Sequence, residues 1–160
     1  MKITFVVPKD DDRTSPLSQY AQCRILPPVG LGRMAGLAGK QGTVALVDER
    51  IDSAHHNCQA DIAVFFINSY NRERCLVLAK LYRDAGSYVV FSGSMLTKDA
   101  LEPAQYASSL LVGYGEDCIA EFLTDYQQGK AKAFYYSANK AKTNTEIGGG
   151  SRYPVLQLAS

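Results

Sequence analysis

The residues whose types and spacing could do chemistry form a few short groups. Gly30-Leu31-Gly32-Arg33-Met34-Ala35 matches the Gly-x-Gly-x-x-Ala dinucleotide fingerprint, and Asp48 follows the first glycine by 18 residues, near the spacing at which an acid reaches a ribose hydroxyl. Taken alone, this would point to a nicotinamide cofactor. The fingerprint works only where a buried strand feeds the glycine turn directly. Here Pro27-Pro28 precede the glycines, and proline cannot donate to a central ladder, so no such strand leads into them. A helix starting near Pro28, whose small residues pack closely on a sheet or a flat ligand, is the reading preferred for this segment.

Asp10-Asp11-Asp12 could supply the metal-binding acids of a phosphorylation receiver. That chemistry also needs a phosphorylatable Asp at the end of the third strand and a Lys after the fifth to pair the phosphoryl group. The sequence offers Ile67-Asn68 at the first place and no Lys after Leu110 to Val112. The same acids would repel the dianionic phosphate of flavin mononucleotide, which favours a loop rich in hydroxyls and amides. A solvated acidic loop is the simpler account. His55 and His56 are adjacent, and neighbouring side chains rarely converge on one ion, so they read as a polar loop pair. Cys23, Cys58, Cys75 and Cys118 contain no Cys-x-x-Cys pair, which gives neither a zinc site nor a clustered disulfide framework.

Composition narrows the partners. Against 16 acidic residues stand 17 Lys and Arg, a formal charge of +1, so no basic field draws in nucleic acid or an anionic membrane. No run approaches the ~18 apolar residues of a membrane span, and the apolar start at Ile3 is too short for a signal peptide. The expectation is a cytoplasmic protein with neither nucleic acid nor membrane among its partners. A chain of 160 residues is long enough for one domain with a core of its own.

Elements must then position these groups. Ile3–Val7, Thr43–Val47 and Ile62–Ile67 are short, nearly continuous apolar runs, the pattern of strands buried on both faces of a parallel sheet. Tyr88–Phe91 and Leu110–Val112 supply two more. Between them, Cys75, Leu78, Ala79 and Tyr82 make a helical stripe ended by Gly86, and Ile119, Phe122, Leu123 and Tyr126 make another before Gly129. The alternation predicts an α/β fold: a flavodoxin-like, doubly wound, five-stranded parallel sheet flanked by helices. Right-handed crossovers place every strand's C-terminal end on one edge, where a ligand should sit at the point of strand-order reversal. Ala133–Ser137 looks like an extra strand. Residues 1–138 are expected to form the domain, and 139–160 a Gly-rich linker with a closing strand-like segment.

At the sites where strands end, the residues resemble a family. Pro27-Pro28-Val29-Gly30-Leu31-Gly32 and Val47-Asp48-Glu49 are similar to the helix start and acidic strand end of the N-terminal cobalamin-binding domains of B12-dependent radical SAM enzymes. Ile67-Asn68-Ser69-Tyr70-Asn71 resembles the family's third-strand exit, Ser92-Gly93-Ser94-Met95-Leu96-Thr97 its Gly-Gly-x-His-x-Thr turn, and Gly113-Tyr114-Gly115-Glu116 its Gly-Glu-x-Glu turn. The resemblance implies that Gly30, Leu31, Gly32, Asn68, Ser69, Tyr70, Ser92, Gly93, Ser94, Met95, Gly113, Gly115 and Glu116 surround cobalamin and its nucleotide tail. Phe66 stands where related domains place a small Ser, Ser92 replaces the first Gly of the pair, and Met95 replaces its His.

The Asp-x-His-x-x-Gly loop that supplies a lower axial His in another branch of cobalamin proteins does not follow Val7, so the cobalt would take no such ligand from the protein. The resemblance implies no catalytic or metal-ligating residue in this chain. It expects a radical SAM barrel in cis, outside the 160 residues, which would carry the [4Fe–4S] cluster and S-adenosylmethionine. The alternative is a domain that keeps this architecture, binds no corrinoid and serves as a docking or gating module; Phe66, Ser92 and Met95 are its grounds.

Overall fold

The computed structural model describes residues 1–10, 29–51, 58–93, 96 and 105–137. Its element order is β1 (Lys2–Val7), α1 (Val29–Ala38), β2 (Thr43–Asp48), β3 (Ile62–Phe66), α2 (Arg72–Asp84), β4 (Tyr88–Ser92), β5 (Ser109–Val112), α3 (Gly115–Gln127) and β6 (Phe134–Tyr136). The strands form one sheet in the order β2-β1-β3-β4-β5-β6, and every neighbouring pair is parallel. The fold is thus α/β, a parallel sheet flanked by helices. The expected count of five strands is corrected to six, because the short run Phe134–Tyr136 pairs with Leu110–Val112 rather than lying outside the sheet.

Strand alternation distributes the core between two faces. Ile3, Phe5, Ile62, Val64, Val90 and Leu111 point to the side covered by α1 and α3, where they meet Leu31, Met34, Ile119 and Phe122. Val6, Ala63, Phe65, Val89 and Phe91 point to the other, against Cys75, Leu78, Ala79 and Tyr82 of α2. That quartet is the stripe predicted from its i, i+3, i+4, i+7 spacing. Phe65 lies edge-on to both Tyr82 and Phe91, with centroids 5.4 and 6.0 Å apart, and such pairs add to burial of the rings.

The strand order reverses about β1: the chain steps from β1 to β2 on one side, then crosses to β3 on the other. One connection departs from the right-handed expectation. β1–α1–β2 and β5–α3–β6 run over the same face but step in opposite directions along the sheet, so they have opposite hands, and β3–α2–β4 shares the hand of the first. The cause is visible in the packing, since α3 turns back across the sheet to rest on α1. Tyr135 then secures the short β6: its hydroxyl donates to Asp125 at 3.0 Å and accepts from the Lys132 N–H at 2.9 Å.

Candidate functional site

The C-terminal ends of the strands bring most of the predicted residues to one edge. After β3, the Asn68 side-chain carbonyl accepts from the Tyr70 and Asn71 N–H groups at 2.7 and 3.0 Å, closing an Asx turn that leads into α2. Asn71 is buried at the centre of this turn. Its Oδ1 accepts from the Asn68 N–H at 2.8 Å and its Nδ2 donates to the Phe66 carbonyl at 3.0 Å, so the strand exit is tied from both ends of one amide. Sequence reasoning chose Asn68, Ser69 and Tyr70 here and passed over Asn71. An Asn-x-x-Asn pair directly before a helical stripe is the signal that could have found it.

At the end of β4, Ser92 is buried and its hydroxyl donates to the Met34 thioether of α1 at 3.8 Å. Gly93 follows with φ +142 and lies so close to the Ile67 carbonyl that any Cβ would overlap it. After β5, Gly113 has φ +93 and Gly115 opens α3 against Ser92 and Met34, again with no room for a Cβ. Ser94 and Met95 lie outside the described residues, as do His55, His56 and the acids Asp11 and Asp12.

Gly30, Leu31 and Gly32 sit within the first turns of α1 rather than in a turn before it. The Glu116 carboxylate approaches Gly30, 3.1 Å from where a Cβ would stand, and lies 3.8 Å from the Arg33 guanidinium. A carboxylate beside a helix start is favoured by the helix dipole. Asp48, whose spacing suited a ribose, is held instead by Arg50, through bonds of 2.9 and 2.7 Å to its two carboxylate oxygens. Next to it, Glu49 accepts from Arg74 at 3.0 and 2.6 Å and from the Lys9 N–H at 3.2 Å, joining β1, β2 and α2 at the reversal point. Neither ion pair was anticipated. The glycines lie inside a helix and the acid is bound by an arginine, so this geometry is not that of a dinucleotide fingerprint.

Two layers result. The outer rim carries exposed Val29, Ile51, Tyr70 and Tyr114, large side chains on the first residue of α1 and on three of the connections at this edge. Beneath it, between α1, α3 and the sheet, Met34, Ser92 and Gly115 close against one another. Phe66 lies on this same face, half-buried against the core. These four side chains are exposed at the strand-exit edge; the slot below them is filled by the chain's own atoms. Among the described residues, no group of three or more His, Cys, Asp or Glu side chains is placed to hold a metal ion, and no helix is long and apolar enough to cross a membrane.

Cys118 lies one turn along α3 from Gly115, buried in the same layer. Burial pushes its thiol from an ordinary 9 up to about 11, and the nearby Asp117, Glu121 and Glu116 carboxylates act in the same direction. The unfolded chain ionises this thiol at lower pH than the folded one. The stability it contributes is therefore intact below pH ~9 and is lost by about 2 kcal/mol as the pH rises to ~11. Urea midpoints at pH 8 and 10.5 should fall more steeply for the wild type than for Cys118→Ala. Tyr82, also raised by burial, to about 12, is common to both proteins and cancels in the comparison. Parallel pH profiles would refute the assignment.

Compared with known proteins, the chain matches no family model, no curated protein and no solved structure.

Proposed function

We propose that this chain is a cobalamin-binding domain of the kind that precedes the barrel of B12-dependent radical SAM enzymes, with the corrinoid resting on the apolar rim at the C-terminal edge of the sheet. The observation that carries the reading is the convergence of the segments bearing the resemblance: the helix starts at Gly30 and Gly115 and the strand exits at Asn68 and Gly93 lie at one edge. The strand order β2-β1-β3-β4-β5 supports the reading of a flavodoxin-like, doubly wound sheet with β6 appended, and in such sheets ligands bind at the reversal point. Tyr70 and Tyr114, 60% and 59% exposed, offer ring faces to a flat macrocycle.

The fit is divided. The rim suits the corrin ring, whereas the slot beneath it, closed by Met34, Ser92, Gly115 and Phe66, does not admit a nucleotide tail in this packing. Cobalamin, when bound, supplies methyl transfer or assists radical chemistry in the intact enzyme. This chain's part is to bind and orient it. The iron–sulfur cluster and S-adenosylmethionine belong to a barrel in cis beyond these residues, in the cytoplasm.

A second reading is favoured by that closed slot: a domain that keeps the architecture, binds no corrinoid and docks or gates a neighbouring domain. Incubation with hydroxocobalamin followed by desalting distinguishes the two. The corrinoid reading expects visible bands retained with the protein at close to one equivalent. Bands that wash away from protein with a native circular dichroism spectrum would leave the docking reading.

A further inference from the structure

We infer that α1 is an intrinsically weak wall that swings away from α3 independently of the rest of the sheet, and that this motion opens the slot beneath the rim. Glycine occupies Gly32 and Gly36 on the solvent side of α1. A Cβ at either would meet no described atom within 4 Å, in contrast to Gly93 and Gly115, where packing demands glycine. Each of these two therefore weakens the helix with no packing gain among the described residues. α1 also lacks an acidic residue in its first turn and a basic one in its last, and buries only Leu31, Met34 and Ala38 of its ten residues.

The other two helices are built differently. α2 has no glycine, carries Glu73 in its first turn and Arg83 in its last, and buries four side chains. α3 has Glu116 and Asp117 in its first turn and glycine only at Gly115, where it is required. Local opening begins where the intrinsic stability is lowest, and that place is the helix whose Met34 fills the slot against Ser92 and Gly115. Moving α1 removes Met34 and the Gly30–Glu116 contact together, and so clears one whole side of the slot while the sheet and α2 stay in place.

Two buried cysteines report on the motion without any ligand. Cys118 lies on α3 in the layer shared with α1, and Cys75 lies on α2 across the sheet. Native protein is treated with N-ethylmaleimide, and the labelled peptides are resolved by mass spectrometry over a series of sub-denaturing urea concentrations. Cys118 is expected to label at least tenfold faster than Cys75 and with a much weaker urea dependence, the mark of a small opening. Gly32→Ala and Gly36→Ala should each slow Cys118 labelling about fivefold, and the double variant about 25-fold.

Equal rates and equal urea dependence at the two cysteines, or a Cys118 rate unmoved by both alanines, would overturn the inference. The role of the opening in ligand entry rests on the corrinoid reading and has its own readout: the double variant should take up hydroxocobalamin more slowly than wild type. If no corrinoid binds yet Cys118 labels as described, the cofactor reading fails and the moving wall stands. If corrinoid binds at the same rate in both proteins, entry does not pass α1.

Discussion

Gly93→Ala is expected to lower the folding free energy by about 4 kcal/mol, a large part of what a domain of this size has. Two costs add. The backbone at φ +142 lies where L side chains are strained, and the new Cβ would overlap the Ile67 carbonyl oxygen. That carbonyl cannot retreat cheaply, because the Ile67 N–H donates to Ser92 O at 2.8 Å and holds the end of β3 against β4. Gly86→Ala separates the terms. Gly86 also has positive φ, +92, but a Cβ there meets nothing described within 4 Å, so its loss should stay near 1 kcal/mol. Urea denaturation of the three proteins checks both values, and equal losses at the two sites would show that the overlap relaxes freely.

The contrast between those glycines marks the limit of what was legible in the sequence. Gly86 was readable as a helix stop because it follows a stripe whose period ends there. Gly93 was placed at a strand exit, but the carbonyl that excludes its side chain comes from Ile67, a partner set by strand register and not by local sequence. Strands β1, β3, β4 and β5 were legible because burial leaves them almost no polar residue, whereas β2, expected to be buried on both faces like them, is the edge strand and is exposed or half-buried along its whole length. β6 was seen but left out of the sheet, since three residues give no alternation to read, and its pairing follows from where α3 comes to rest.

The same distinction applies to the site. The turns at its rim are local and were found. The Asp48–Arg50 and Glu49–Arg74 pairs, the Asn71 amide at the strand exit and the Met34–Ser92 contact were not. Glu49–Arg74 and Met34–Ser92 join residues 25 and 58 positions apart, and nothing in residue type alone says which Arg finds which acid. Met34 is the sharpest case. At helical spacing it read as part of a glycine motif, whereas its place beside Gly115 makes it the plug of the slot.

Phe66→Ser is expected to tighten hydroxocobalamin binding about tenfold, and Phe66→Ser with Met34→Ala by up to about a hundredfold, at a cost in stability of about 2 kcal/mol for the first change. Phe66 ends β3 on the face shared with Met34, Ser92 and Gly115, and its ring is packed on that core. For a nucleotide tail to enter, the ring must leave its apolar contacts, and the free energy of that exposure is subtracted from every binding event. A serine at this position removes the obstacle in advance and leaves the Phe66 carbonyl free to accept from Asn71 as before, because that bond belongs to the backbone. The variants should therefore keep the Asx turn and gain only the space. Leu46→Ser provides the control: Leu46 lies on the same side of the sheet but on the edge strand, already half exposed and away from the slot, so affinity should not change. Titrations followed by the corrinoid difference spectrum give the constants, with circular dichroism certifying each fold. Unchanged affinity in a folded Phe66→Ser, Met34→Ala double variant would mean that the slot is not the path of the tail. The rim with its exposed Val29, Ile51, Tyr70 and Tyr114 would then be left as a surface for a neighbouring domain, because apolar side chains gathered at one edge lose water on contact whether the occupant is a macrocycle or a protein.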